Sequence, residues 1–215
     1  MSSGGAESWL FPLSLRVSPD GATVGEGDTL NGPSGSFVGQ NSPGPYLVPM
    51  SRDFYDFILG LRAIRSYRDE PLSDEDLAAI LEAARWTGSS KNRQDWSFVV
   101  VTEKEQLMRL AECGDFTDPV RRSAATIVIV QEPGGYEFDS GRVAQNIMLA
   151  AKAIGVASCP ITFHRDSDVR TVLGIPDDRR ARYGIALGYP AEDAAPARMG
   201  GRKPREAIVH RERYS

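Results

Sequence analysis

The sequence predicts an α+β domain over residues 51–215. Apolar residues recur at helical spacing in several separate segments, and short β-branched runs stand between them. Strands are few and helices many, with no internal repeat. Neither a Gly-x-Gly-x-x-Gly turn nor a P-loop is present, so nothing supports a Rossmann dinucleotide site.

Phe54, Phe57, Ile58 and Leu61 lie at helical spacing and predict a helix over residues 52–61. Ser73 opens a second helix, with Asp74, Glu75 and Asp76 in a first turn where carboxylates suit the dipole. Its apolar face is Leu77, Ile80, Leu81 and Ala84. Residues 97–101 read as a buried strand. Thr102 and Glu105 have the spacing of a capping box for a third helix through Leu107, Leu110 and Ala111. Residues 125–130 form a β-branched run, a second buried strand. Residues 140–154 predict a long helix facing inward through Val143, Ile147, Ala150, Ala151 and Ile154, with Gly155 at its C′ position. Val169, Val172 and Leu173 predict a short helix closed by Gly174, and Ile185, Ala186 and Leu187 a short strand ending at Gly188.

Residues 1–49 differ. They are dense in Gly, Pro and Ser, a composition that makes turns and extended chain. We expect an N-terminal extension outside the domain, with the apolar stretch 9–17 as one edge strand or a packing segment. An expression scar is the alternative.

Of the 215 residues, 41% are hydrophobic and 25% charged, and the formal net charge is -4. That is the balance of a globular protein with a real core, and it advertises no nucleic-acid partner. No apolar run approaches the ~20 residues of a membrane span. Two cysteines, Cys113 and Cys159, and two histidines, His164 and His210, lack metal-ligand spacing, so no metal site is expected. The start shows no signal peptide; the cytoplasm is expected, with both thiols free.

Three distant stretches carry the candidate chemistry. Arg62 and Arg65 lie three apart, with Arg68 beyond, and put guanidiniums on one side of a helix end or turn. Such a pair grips a phosphate; a solvated basic helix end is the plain alternative. Ser89, Ser90, Lys91, Asn92 and Gln94 form a polar loop before Trp96, rich in donors for a planar ring's edge or simply a connection. Arg198, Arg202, Lys203 and Arg205 make a basic tail without an intervening acid. The apolar residues 207–209 behind it suggest a docked segment rather than a free one. Residues 158–162 read as a Pro-containing bend able to present backbone N–H groups. Cys159 reads as a packing residue rather than a nucleophile.

These residues resemble the nitroreductase family of FMN-dependent oxidoreductases. Arg62-Ala63-Ile64-Arg65-Ser66-Tyr67 looks like its first phosphate- and flavin-binding segment, and residues 89–96 like its Ser-x-x-Asn-x-Gln-Pro-Trp loop. Gly155 to Ile161 resembles the segment passing the flavin's reactive edge. Gly188-Tyr189-Pro190 and Lys203-Pro204-Arg205 resemble the strand end and the C-terminal phosphate clamp. In three places the chain departs: Leu61 stands where a basic residue is usual, Ala63 where a small hydroxyl is usual, and Asp95 in place of proline. The region between Glu103 and Gly141 is also short, which implies an open pocket.

The resemblance implies a central, mostly antiparallel sheet flanked by helices, in an intertwined homodimer with FMN at the interface. It implies cofactor contacts from Arg62, Ala63, Ile64, Arg65, Ser89, Ser90, Lys91, Asn92, Gln94, Pro160, Ile161, Thr162, Lys203 and Arg205. It also implies ping-pong turnover, in which NAD(P)H gives a hydride to the flavin and a small-molecule acceptor (nitroaromatic, quinone or enone) then takes its place. Arg65 is the candidate catalytic group, beside the flavin's N1 and O2. Other flavin chemistry on the same fold (dehalogenation, flavin fragmentation, deazaflavin use) and a non-enzymatic flavin carrier are the alternatives.

Overall fold

The computed structural model describes residues 52–197 and 200–214. The N-terminal extension, its apolar stretch and Arg198 lie outside the described residues. Helix α1 (Arg52–Leu59) is followed by α2 (Asp74–Arg85), β1 (Trp96–Val101), α3 (Lys104–Ala111), α4 (Asp118–Arg122), β2 (Ala125–Gln131), α5 (Glu137–Ala153), β3 (Ala157–Thr162), α6 (Asp166–Leu173) and β4 (Arg180–Gly188). Two 3-10 turns, Ser90–Asn92 between α2 and β1 and Arg205–Ala207 in the tail, complete the described elements.

The four strands form one sheet in the order β1-β2-β4-β3, with every neighbouring pair antiparallel. Strand β2, at the centre, is buried along its whole length, as its unbroken Ala-Thr-Ile-Val-Ile-Val run requires. Alternation divides its side chains between two cores. Ile127 and Ile129 face α2 and α5, joining Ile80, Ala84, Val143 and Ile147. Val128 and Val130 face the other way, with Leu107 and Leu110 of α3, Val120 of α4 and Val169 of α6. The expected α+β architecture with an antiparallel sheet is therefore what the chain adopts.

Local signals performed unevenly. Ser73 caps α2 as expected, its Oγ accepting from the Asp76 amide at 3.1 Å. Gly155 and Gly174 take the left-handed φ values of +79° and +66° that end α5 and α6. The Thr102–Glu105 capping box does not form: β1 extends to Val101, and Glu103, itself extended, occupies the N-cap without a side-chain bond. The expected bend at residues 158–162 is strand β3. Proline suits it because β3 is an edge strand, where a missing N–H costs no ladder bond. Strand β4 is nine residues rather than a short run, since Arg180, Arg182 and Tyr183 keep pairing beyond the apolar core. Helix α5 begins at Glu137, earlier than its apolar period shows. Helix α4 carries too few apolar residues to show a period.

Among the α-helices described, one buries nothing of its own. Helix α1 exposes Phe54, Tyr55, Ile58 and Leu59, and none of its residues is buried. It is tied down by Lys152 of α5, whose Nζ donates to the Phe57 carbonyl at 2.6 Å and lies 4.6 Å from the Phe57 ring centre.

Candidate functional site

Just beyond α1 the chain turns and runs beside β3. The Ile64 amide donates to the Ser158 carbonyl at 2.9 Å, and the Arg68 amide to the Tyr189 carbonyl at 2.9 Å. Tyr67 bridges to Pro190, and its buried hydroxyl donates to the Ile64 carbonyl at 2.9 Å. Gly188 is a close approach: a Cβ there would lie 2.9 Å from the Tyr67 side chain. Burial raises the Tyr67 phenol well above its ordinary range. This pinned segment carries Arg62 and Arg65 outward.

Three clefts that share residues make a trough along this side. The basic one, of about 550 Å³, is lined by Arg62, Ala63, Arg65 and Arg202, with Pro196 and Gly200. The middle one, of about 580 Å³, shares Arg62, Ala63 and Arg202 and adds Leu61, Met148 and Pro160. The third, of about 440 Å³, shares Pro160 and continues past Ile161 and Thr162 between Phe138 and Tyr183. Positive charge thus gathers at one end, and largely apolar walls follow.

No carboxylate among the described residues pairs with Arg62, Arg65 or Arg202. Arg62 donates to the Leu59 and Leu61 carbonyls, both at 2.7 Å, so it also complements the end of α1. Arg65 lies against the Cys159 thiol. Burial pushes that thiol up, while Arg65 pulls it back. Cys159 is 2% exposed and belongs to the core, as its packing role requires. Three uncompensated guanidiniums in one cleft suit a dianionic group, and an apolar slot continuing from it suits a planar ring. The residues present therefore fit a flavin mononucleotide.

Of the expected contact residues, Arg62, Ala63, Arg65, Pro160, Ile161 and Thr162 line this trough. Ile64 lines none of these clefts; its amide and carbonyl are bonded to Ser158 and Tyr67 and hold the segment in place. Lys203 and Arg205 are exposed and line none of these clefts; their neighbour Arg202, set aside as one more tail cation, lines two. Phe138, Tyr183 and Met148 were not anticipated. Their positions in sequence show an apolar period or a strand, which says nothing about facing a cleft.

The polar loop stands apart. Ser89, Ser90, Lys91, Asn92 and Gln94 line none of the clefts of the trough. Yet the loop is strictly shaped. Lys91, Asn92 and Gln94 have φ of +52°, +54° and +53°, a left-handed backbone that costs non-glycine residues on the order of 1 kcal/mol each. Internal bonds offset part of this: the Gln94 amide donates to Ser89 Oγ at 2.9 Å, and Gln94 Nε2 to Asn92 Oδ1 at 3.1 Å. Arg93 pairs with Asp95 at 2.8 Å, so the residue that replaces proline fastens the loop's exit.

Among the described residues no cluster suited to a metal ion exists, and no helix is long and apolar enough to cross a membrane.

Comparison with known proteins identifies the chain's family. The model of the Nitroreductase family matches residues 58–117 and 115–189. A protein of Archaeoglobus fulgidus is 33% identical over 143 residues, 61% of this chain and 82% of that one. The NADPH-flavin oxidoreductase of Vibrio harveyi is 28% identical, over 73% of this chain and 72% of its own. Among solved structures, an FMN-dependent nitroreductase of Clostridium difficile superposes with a TM-score of 0.66 at 27% identity, over 74% of this chain and 98% of that one. The chain belongs to the nitroreductase family.

Proposed function

We propose that this protein is an FMN-dependent NAD(P)H oxidoreductase. The observation that carries the reading is the cluster of three guanidiniums without carboxylate partners, opening into an apolar trough along α5 and β3. Proteins similar to this chain, named NADPH-flavin oxidoreductase and FMN reductase, support it. When bound, FMN supplies hydride-transfer chemistry between NAD(P)H and a small electrophilic acceptor such as a nitroaromatic or quinone, in alternating half-reactions.

The chain's residues divide the work. Arg62 and Arg202 hold the phosphate, with Lys203 and Arg205 flanking, which makes up for the cation missing at Leu61. Pro160, Ile161 and Thr162 form one wall for the ring. Arg65, beside Cys159 and next to Pro160, favours negative charge on the ring's N1 and O2 edge. Phe138 and Tyr183 leave the acceptor end open.

A homodimer completes the site in this reading. The shaped loop at 89–94 touches nothing in its own trough, and α1 exposes four large apolar side chains. Ile208 and Val209 in the tail are exposed as well, at 59% and 47%. A partner subunit that covers these surfaces would bring its own loop to the ring. We place the protein in the cytoplasm, where two buried free thiols are at home, and residues 51–215 as the flavin domain behind an N-terminal extension.

The purified protein should bind FMN in equimolar amount, and NADH or NADPH should bleach it anaerobically. A colourless protein that ignores added FMN would sink the reading.

A further inference from the structure

The loop at 89–94 has two anchors, one on the middle of α5 and one on the turn that leads into it. On the entry side, Asn146 Nδ2 donates to Thr87 Oγ1 at 2.8 Å, and Thr87 is only 4% exposed. Arg142 packs under the next residue: a Cβ on Gly88 would stand 3.0 Å from its Nη2. Arg142 is held in turn by Asp139, a buried carboxylate 3.6 Å away on the core side of α5. On the exit side, Arg93 donates to the Gly134 carbonyl at 3.2 Å and sits 5.6 Å from the centre of the Tyr136 ring.

The same turns of α5 wall the trough. Gln145, adjacent to Asn146, lines its middle, and Ser140, Gly141 and Ala144 line its apolar end. One rigid helix therefore touches both the candidate ring site and the base of the loop. The loop's left-handed residues, Lys91 and Gln94 above all, are unfavourable, and the loop's internal bonds offset only part of that cost. Contacts outside the loop supply the rest, and the Asn146–Thr87 bond, partly buried through Thr87, is the polar contact at its root.

We propose that Asn146, acting through Thr87, is a positioning residue that keeps the 89–94 loop in the geometry it needs to meet the flavin. This rests on the flavin reading above. A bond that merely adds to fold stability would leave the loop's shape and its ligand untouched.

The loop contains its own reporter, because Lys91 and Arg93 are trypsin sites. In Thr87→Val the side chain keeps its shape and loses the acceptor. Brief trypsin treatment of the flavin-free full chain, read by fragment mass, should show cleavage after Lys91 and Arg93 rising about tenfold. FMN affinity should fall by a similar factor, about tenfold, while amide exchange protection in β2 stays that of the parent. Thr87→Ser should restore both. Unchanged cleavage in Thr87→Val overturns the proposal, as does raised cleavage with unchanged FMN affinity, or a failure of Thr87→Ser to restore. Should the parent protein bind no FMN at all, the flavin reading falls, and the cleavage arm with its serine rescue alone decides whether Asn146 holds the loop.

Discussion

The cationic end of the trough and the loop at 89–94 are both polar, basic and flanked by regular structure, yet the fold uses them in opposite ways. Arg62 and Arg65 follow α1 on a segment bonded to β3, and they face a cleft formed by their own chain. The loop after α2 is shaped by internal bonds and left-handed residues and faces none of that trough. In the proposed reading, one region carries its function as charge presented to a cavity, and the other as backbone geometry held ready for a surface of the partner subunit. On that reading a folded subunit holds half of a site.

The sharpest way to break this contrast is to remove the partner. A charge in the exposed apolar face of α1 away from the trough, as in Tyr55→Asp, leaves the core alone because no residue of α1 is buried, and Tyr55 lines none of the trough's clefts. It should produce monomers by light scattering and remove nearly all FMN binding, if the partner's loop completes the site. An interface above ~2,000 Å² in total is expected in the parent. A monomeric variant that still holds FMN would show that one chain suffices and that the loop serves another purpose.

A smaller effect separates cations within the trough from those beside it. Charge-assisted phosphate contacts are worth roughly 1.5–3 kcal/mol each, so Arg202→Ala should weaken FMN binding by about one to two orders of magnitude. Lys203→Ala should lose less, because its side chain lines none of these clefts and binds as a point charge. Arg65→Ala should lower the flavin's reduction potential more than it weakens binding, since the oxidised ring is neutral. Anaerobic photoreduction beside a reference dye measures this. An unchanged potential with lost affinity would move Arg65 to the phosphate.

The mildest effect concerns the frame that both regions share. Burial raises the thiols of Cys113 and Cys159 and the phenol of Tyr67. All three are neutral when protonated, and their folded pKa values lie above the unfolded ones. The thiols' stabilising effect is therefore full below their unfolded value, about 8.5, and is lost as pH rises beyond it, while that of Tyr67 is lost only above its own unfolded value, about 10. Denaturant midpoints should fall steadily from pH 8 to pH 10, and Cys159→Ala should reduce the slope. A flat profile across that range would contradict the burial of the two thiols.

Most of the secondary structure was legible because it depends on local periodicity and on caps. Helix α2 shows its Ser73 cap and apolar stripe in sequence, and β2 shows its β-branched run. What failed did so for identifiable reasons. Strand β3 contains a proline, which argues against a strand until the sheet order shows it to be an edge. Strand β4 keeps pairing past its apolar residues, a matter of its neighbours' lengths. Arg202 resembled any tail cation until the fold brought it beside Arg62. The loop's residue types were recognisable, but its left-handed backbone and its anchor to Asn146 join positions 59 residues apart.

By itself, then, the sequence determined the α+β class, the helices with clear caps and periods, the absence of a Rossmann motif, and the residue types suited to a phosphate and a planar ring. All of these are written in spacings of a few residues, where side-chain period and backbone preference act locally. Tertiary structure alone decided which cations share a cavity, which apolar side chains stay uncovered, and which segments remain apart. Those outcomes depend on strand order and on helix packing across the sheet, where residues distant in the chain become neighbours and no local preference specifies the pairing.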